Sequence, residues 1–226
     1  MKIAILIIST KHSDYSNLYN TVNKTWVNEF THACDIYHLI AGHNEESFDG
    51  NIIYSTDKEG TMEIGYKTIN AFDRLRNKYD YIIRTNLSSY INVNILLKWL
   101  KIQPRTNFWC GYGVKHFSSG AFYILSRDLV DLIVDNKIKW NHDKLDDVAL
   151  SEILYYDFGF NCQFIERVDF IHDNIIFNKE FQVGHFIKFD DIDLNNIHFR
   201  FSTKDANRKI DCDNMIKLHR KIINLI

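Results

Sequence analysis

The stretch Tyr79-Asp80-Tyr81-Ile82-Ile83-Arg84-Thr85-Asn86-Leu87-Ser88-Ser89-Tyr90-Ile91-Asn92-Val93 decides how the rest of the chain is read. Tyr81, Ile82 and Ile83 form a short apolar, β-favouring run. The run stops at polar residues. A second apolar segment, Ile95-Leu96-Leu97-Lys98-Trp99-Leu100, follows at helical spacing, with Asn92 or Asn94 placed to cap it. A buried strand that ends in small hydroxyl and amide side chains just before a helix marks the carboxyl edge of an α/β sheet, where ligands bind.

Upstream of this edge, Ile3 to Ile8 reads as a core strand, and Ser9-Thr10-Lys11-His12-Ser13 as the polar loop that leaves it. A helix is expected over 19–30, where Val22, Trp26 and Phe30 recur every four residues. Strands follow at 35–40 and 51–54, then a helix over about 62–76. Downstream of the edge come the 95–101 helix and a strand at 108–112. The small-residue turn Ser118-Ser119-Gly120 then leads into a further strand. Ser126 is placed to cap a 128–136 helix, another helix starts at 145, and a strand is expected over 162–168. The segment 169–196 alternates aromatic and polar residues without a clear period. A strand at 197–201 and a helix from about 207 to 225 close the chain. Strands and helices alternate through the first half, which predicts a mostly parallel sheet flanked by helices in a single α/β domain, residues 1–226.

Composition narrows the function classes. The 226 residues are 46% hydrophobic and 25% charged, the balance of a globular protein. A net charge of -2 gives no general attraction for nucleic acid or anionic membrane. The four cysteines, Cys34, Cys110, Cys162 and Cys212, are far apart and read as buried thiols in a reducing compartment. The apolar run at the N-terminus is too short to span a membrane and lacks a small-residue cleavage site, so a cytoplasmic location is expected. The ten histidines form no H-E-x-x-H pair, which argues against a zinc site. No P-loop and no G-x-G-x-x-G is present.

Five segments, taken in order, resemble the β-1,3-glycosyltransferases that include fringe and the galactosyl- and N-acetylglucosaminyltransferases, which share the GT-A fold. Asn23-Lys24-Thr25-Trp26 is similar to the family's R-x-T-W but lacks the Arg, and Lys67-Thr68 matches the end of N-L-T-L-K-T. Arg84-Thr85-Asn86-Leu87-Ser88-Ser89-Tyr90-Ile91-Asn92 fits the frame of K-T-D-D-D-V-F-V-N. Ser118 to Leu129 is close to the small-residue turn, strand and S-x-D-L. Asp146-Asp147-Val148 is close to E-D-V. The resemblance covers roughly residues 20 to 160 and implies a GT-A-like, Rossmann-type fold. It further implies a nucleotide-sugar donor, read as a UDP-sugar, a glycan or glycoconjugate acceptor, and inversion at the anomeric carbon. The departure is at the metal motif. The family's carboxylates are replaced by Asn86, Leu87 and Ser88, whose neutral oxygens suit Mg²⁺ or Mn²⁺ poorly.

Glycosyl transfer needs a base for the acceptor hydroxyl, a positioned sugar and stabilisation of the leaving diphosphate. The resemblance places the base at Asp147, with Asp146 in reserve. The competing reading of Asp147 is a first-turn aspartate complementing the helix dipole. Ser9, Thr10, Arg84, Thr85, Asn86 and Ser88 are expected at the donor's nucleotide or diphosphate, against a competing reading as turn and cap residues. Lys67 joins them, or else faces solvent. For the diphosphate, the cations of the tail stand out. His198 and Arg200 share one strand face with Phe199 and Phe201 behind, and Lys204 and Arg208 follow at a loop and helix start. The competing reading is a solvated basic edge strand. No cofactor is firmly implied. Two further expectations stand beside the metal-independent enzyme: a catalytically inactive nucleotide- or sugar-binding protein, and an enzyme holding Mn²⁺ loosely through Asn86, Ser88 and His198.

Overall fold

The run Ile3–Ile8 forms strand β1, every residue of it buried. The structure, a computed structural model, describes residues 1–10, 12–180 and 184–224. Along the chain follow α1 (Ser16–Val22), α2 (Asn28–Phe30), β2 (Asp35–Ile40), β3 (Ser47–Asp49), β4 (Ile52–Tyr54), α3 (Ile64–Leu75), β5 (Tyr81–Asn86), β6 (Ser89–Ile91) and α4 (Val93–Leu100). Then come β7 (Trp109–Val114), β8 (Phe117–Ser126), α5 (Arg127–Asp135), α6 (Asp146–Ser151), β9 (Gln163–Phe164), β10 (Arg167–Ile171), β11 (Asn174–Asn178), β12 (His185–Ile187), β13 (His198–Phe201) and α7 (Lys209–Ile223). The chain divides into two compact units. One comprises Met1–Thr10, Cys34–Asn86 and Gln103–Phe164, the other Lys11–Ala33, Leu87–Ile102 and Ile165–Ile226.

The first unit holds an eight-stranded sheet in the order β3-β4-β2-β1-β5-β8-β7-β9. Its centre, β4-β2-β1-β5, is parallel throughout. Such strands are buried on both faces, which is why β1 and the first half of β5 read as apolar runs. Antiparallel β3 and β8 extend this centre at either end, and β7 pairs antiparallel with β8 and parallel with β9. The expectation of a mostly parallel α/β sheet flanked by helices is met here. Helix α3 lays Ile69, Phe72 and Leu75 into a core that also contains Leu6, Ile82, Trp109, Leu125, Leu129, Ile133 and Leu150. Burying each of these side chains contributes about 1.5–3 kcal/mol.

The second unit holds a five-stranded sheet, β12-β11-β10-β13-β6, in which only the β10/β13 pair is parallel. One face of it is aromatic. Phe170 and Phe201 stack at 4.7 Å, and Phe199 meets Tyr90 edge-on at 6.1 Å. Trp26 lies beside Tyr90 and donates its indole N–H to the Ser89 carbonyl at 3.1 Å.

Several expectations change. The strand expected over 162–168 is two strands: β9 belongs to the first sheet and β10 to the second, because the chain changes unit at Ile165. The unassigned segment holds β11 and β12, and β3 was hidden before the turn at Gly50, whose φ is +56°. The 118–120 turn is part of the continuous strand β8. The 19–30 helix begins earlier, at Ser16, and is broken at Thr25 (φ -107°, ψ -111°). There the Thr25 hydroxyl donates to the Thr21 carbonyl at 2.7 Å, a local bond that competes with the helical ladder. Of the two caps offered for α4, the structure uses Asn92, which accepts from the Ile95 N–H. Ser126 precedes α5 but makes no side-chain cap, because its hydroxyl donates to Asp128 and accepts from the Phe108 N–H. The last helix starts at Lys209, since Arg208 is left-handed (φ +56°). Among the described residues no helix is long and apolar enough to cross a membrane.

Candidate functional site

In a parallel sheet the strand carboxyl ends share one edge. Ile8 of β1 lies in register with Asn86 of β5, so Ser9-Thr10 and Asn86 leave the sheet as neighbours. Ser9 is buried. Its hydroxyl lies 2.8 Å from His38 Nδ1 and 3.2 Å from the Ile7 carbonyl. The Ser9 carbonyl accepts from Lys67 Nζ at 2.9 Å. Lys67 is only 4% exposed, so the alternative of a solvent-facing helical lysine falls. Burial pushes its pKa down, while Glu59, 3.5 Å away, pulls the other way. Burial likewise lowers His38 to about 4.

Arg84 stands opposite Tyr123 across β5 and β8, its guanidinium 5.8 Å from that ring. It is 2% exposed and pairs with Asp146 through Nη2–Oδ2 at 2.6 Å. Burial pushes the Asp146 carboxyl up, by more than the neighbouring Arg84 pulls it down. Asp147, the next residue, is only half-buried. Its Oδ2 accepts the Gly120 N–H at 2.8 Å and its Oδ1 the Val148 N–H at 3.0 Å. Thr85 is buried, its hydroxyl donating to the Ala121 carbonyl at 2.9 Å. Of the side chains expected at the donor, Thr10 and Asn86 are therefore the partly exposed ones in this unit. Ser9, Lys67, Arg84 and Thr85 form the wall behind them.

The first unit thus brings together Ser9, Thr10, Lys67, Arg84, Thr85, Asn86, Asp146 and Asp147. The remaining expected residues, Ser88, His198, Arg200, Lys204 and Arg208, belong to the second. Ser88 is buried and its carbonyl accepts the Phe201 N–H at 2.8 Å. Strand β13 lies between β10 and β6, so the alternative of a solvated edge strand is wrong. His198 is fully buried with Nε2 3.0 Å from Ser89 Oγ. Burial first, then Arg167 and Arg200, lower its pKa far below the usual range and keep the ring neutral. Arg200 is half-buried and Lys204 exposed. Arg208 is buried, its charge balanced by Asp211 at 2.9 Å and its Nη2 donating to the Phe201 carbonyl. This pair ties down the turn into α7, as does Asp211 by accepting the Thr203 N–H.

Sequence reasoning missed the partner of Asp146, and also Gly120 and Glu59. The small-residue run around Gly120 was the available signal for a close approach. A Cβ on Gly120 would stand 2.9 Å from Arg84 Nη1, 3.2 Å from Asp147 Oδ2 and 3.3 Å from Asp146 Oδ1. For a metal, the donors at the position of the family's carboxylates are neutral, and Asp146 is already engaged by Arg84. That set does not fit a hard divalent cation. Among the described residues no group of three or more His, Cys, Asp or Glu side chains could hold a metal ion.

No protein-family model and no curated protein matches the sequence. Among solved structures, the chain is similar to a glycosyltransferase involved in the glycosylation of the major capsid of PBCV-1. That likeness has a TM-score of 0.53 at 10% identity and covers 96% of this chain and 100% of the other. A 4-diphosphocytidyl-2C-methyl-D-erythritol synthase from Anaerococcus prevotii is similar at TM-score 0.47 and 14% identity, over 73% of this chain and 86% of that one. The catalytic domain of a Drosophila β1,4-galactosyltransferase 7 is similar at TM-score 0.45 and 14% identity, over 72% and 64%. The first likeness shows a shared α/β fold.

Proposed function

We propose that the protein is a GT-A-type glycosyltransferase that moves a sugar from a nucleotide donor, read as a UDP-sugar, to a hydroxyl of a glycan or glycoconjugate. The observation that carries this reading is Asp147. It is a half-buried carboxylate at the site's edge, oriented by the Gly120 N–H and set beside an Asp146 whose charge Arg84 already balances. The fold shared with the capsid glycosyltransferase supports it.

In this mechanism Asp147 accepts the proton of the acceptor hydroxyl. The acceptor oxygen forms a bond to the anomeric carbon from the face opposite the leaving group, and the bond from that carbon to the diphosphate oxygen breaks. The nucleoside diphosphate leaves, and the anomeric configuration inverts. Thr10 and Asn86 contact the donor.

The neutral Asn86-Leu87-Ser88 favours a second reading, a binding protein of the same fold that does not turn its ligand over. One experiment separates the two. Thermal shifts are recorded against UDP-, GDP- and CDP-sugars, and donor hydrolysis or transfer is then followed with and without EDTA. A ligand at one hundred times its Kd adds about 2.7 kcal/mol of apparent stability, a readily measured rise in melting temperature. A stabilising donor whose turnover survives EDTA supports the enzyme. Stabilisation without turnover supports the binding protein, and no shift with any nucleotide sugar contradicts both.

A further inference from the structure

We infer that Arg84 is a positioning residue, not a donor ligand: through Asp146 and across the bare backbone of Gly120 it fixes the carboxylate of Asp147. This rests on the reading of Asp147 as the base. Three observations converge on it. Arg84 and Asp146 are both nearly fully buried and joined at 2.6 Å, so the charge of the guanidinium is balanced by a protein partner. Arg84 Nη1, Asp146 Oδ1 and Asp147 Oδ2 all stand within 3.3 Å of the point where a Gly120 side chain would begin. Asp147 Oδ2 takes its hydrogen bond from the same Gly120 backbone.

The chemistry explains the arrangement. Two consecutive carboxylates at the start of α6 repel, and the buried one is the harder to keep ionised. A cation paired with Asp146 lets it stay charged without raising the proton affinity of its neighbour. Removing only Arg84 would leave Asp146 buried and unpaired, and the negative charge it keeps would then raise the proton affinity of Asp147. Removing both charges at once, as Arg84→Gln with Asp146→Asn, keeps the shape and leaves nothing uncompensated.

The test is a cycle of wild type, Arg84→Gln, Arg84→Lys, Asp146→Asn and the double variant. Each is followed by urea unfolding, by carboxyl ¹³C titration of the aspartates, and by the pH profile of kcat/KM for the donor. Arg84→Gln is expected to lower stability and to raise the acid-limb pKa of kcat/KM by about one unit. It should cut kcat at pH 7 at least about tenfold with donor KM within about twofold. Arg84→Lys restores part of each, and the double variant restores stability and the wild-type titration of Asp147. A rise in donor KM without a change in kcat or in the profile would overturn the inference, since that is the signature of a donor ligand. So would a double variant no more stable than Arg84→Gln. If wild type turns over no donor while unfolding and titration follow the cycle as described, the positioning cluster stands and the transferase reading fails.

Discussion

Gly120 shows how much a single missing side chain can decide. A methyl group there would meet a guanidinium nitrogen and two carboxylate oxygens at once, and Arg84 and Asp146 cannot retreat cheaply from their buried ion pair. Gly120→Ala is therefore expected to cost about 1–3 kcal/mol in urea unfolding, the range for overpacked sites, and to reduce turnover with little change in donor affinity. Wild-type stability in this variant would mean that the cluster is looser than the distances imply. His38 gives a second residue-scale prediction. Its folded-state pKa is depressed by burial to about 4 from 6.5, so between those values the unfolded chain binds the extra proton. Its contribution to stability is full above about pH 6.5 and is lost as pH falls toward 4, by about 3 kcal/mol. Unfolding at pH 7 and pH 4.5 should show this loss reduced in His38→Gln. An equal loss in both proteins would assign the acid sensitivity to other groups.

At the level of elements, periodicity was enough wherever a segment is buried on one side or on both. The apolar runs of β1, β2 and β5 and the amphipathic α3 and α5 stand close to where their patterns put them. Elements failed where tertiary partners override local pattern. Nothing local marks Ile165 as the point where one strand run divides between two sheets, and the hairpin of β10 and β11 is built largely from half-buried residues whose alternation is weak. Thr25 breaks its helix through a side-chain bond to a backbone carbonyl that hydrophobic spacing does not report. Helix α4 is the clearest case of a start signal honoured. Asn92 accepts from the Ile95 N–H and also donates to the Leu194 carbonyl at 2.8 Å. Asn92→Ala should cost about 1 kcal/mol or more, read from the urea midpoint, with part of it tied to the half-buried Leu194 carbonyl left unpaired. A change of only a few tenths would show that neither bond contributes.

Across the whole molecule, the sheet edge was legible because a strand that ends in Arg84-Thr85-Asn86 can hardly be read otherwise. The adjacent pair Asp146-Asp147 was legible as a candidate for the base. Which member of that pair is engaged by a cation was not, because Arg84 lies sixty-two positions earlier and meets Asp146 only through folding. For the same reason the tail cations looked interchangeable in sequence, yet Arg208 is buried against Asp211, His198 is neutral, and Lys204 faces solvent. The central claim is that Asp147 takes the acceptor's proton in transfer from a nucleotide sugar. Its most direct measurement is single-turnover sugar transfer by wild type and by Asp147→Asn, with donor Kd determined for both. A positioned general base is worth about 10²–10⁴-fold. The expected result is a loss of at least about a hundredfold in the chemical step with donor Kd unchanged. Turnover by Asp147→Asn at close to the wild-type rate would contradict it.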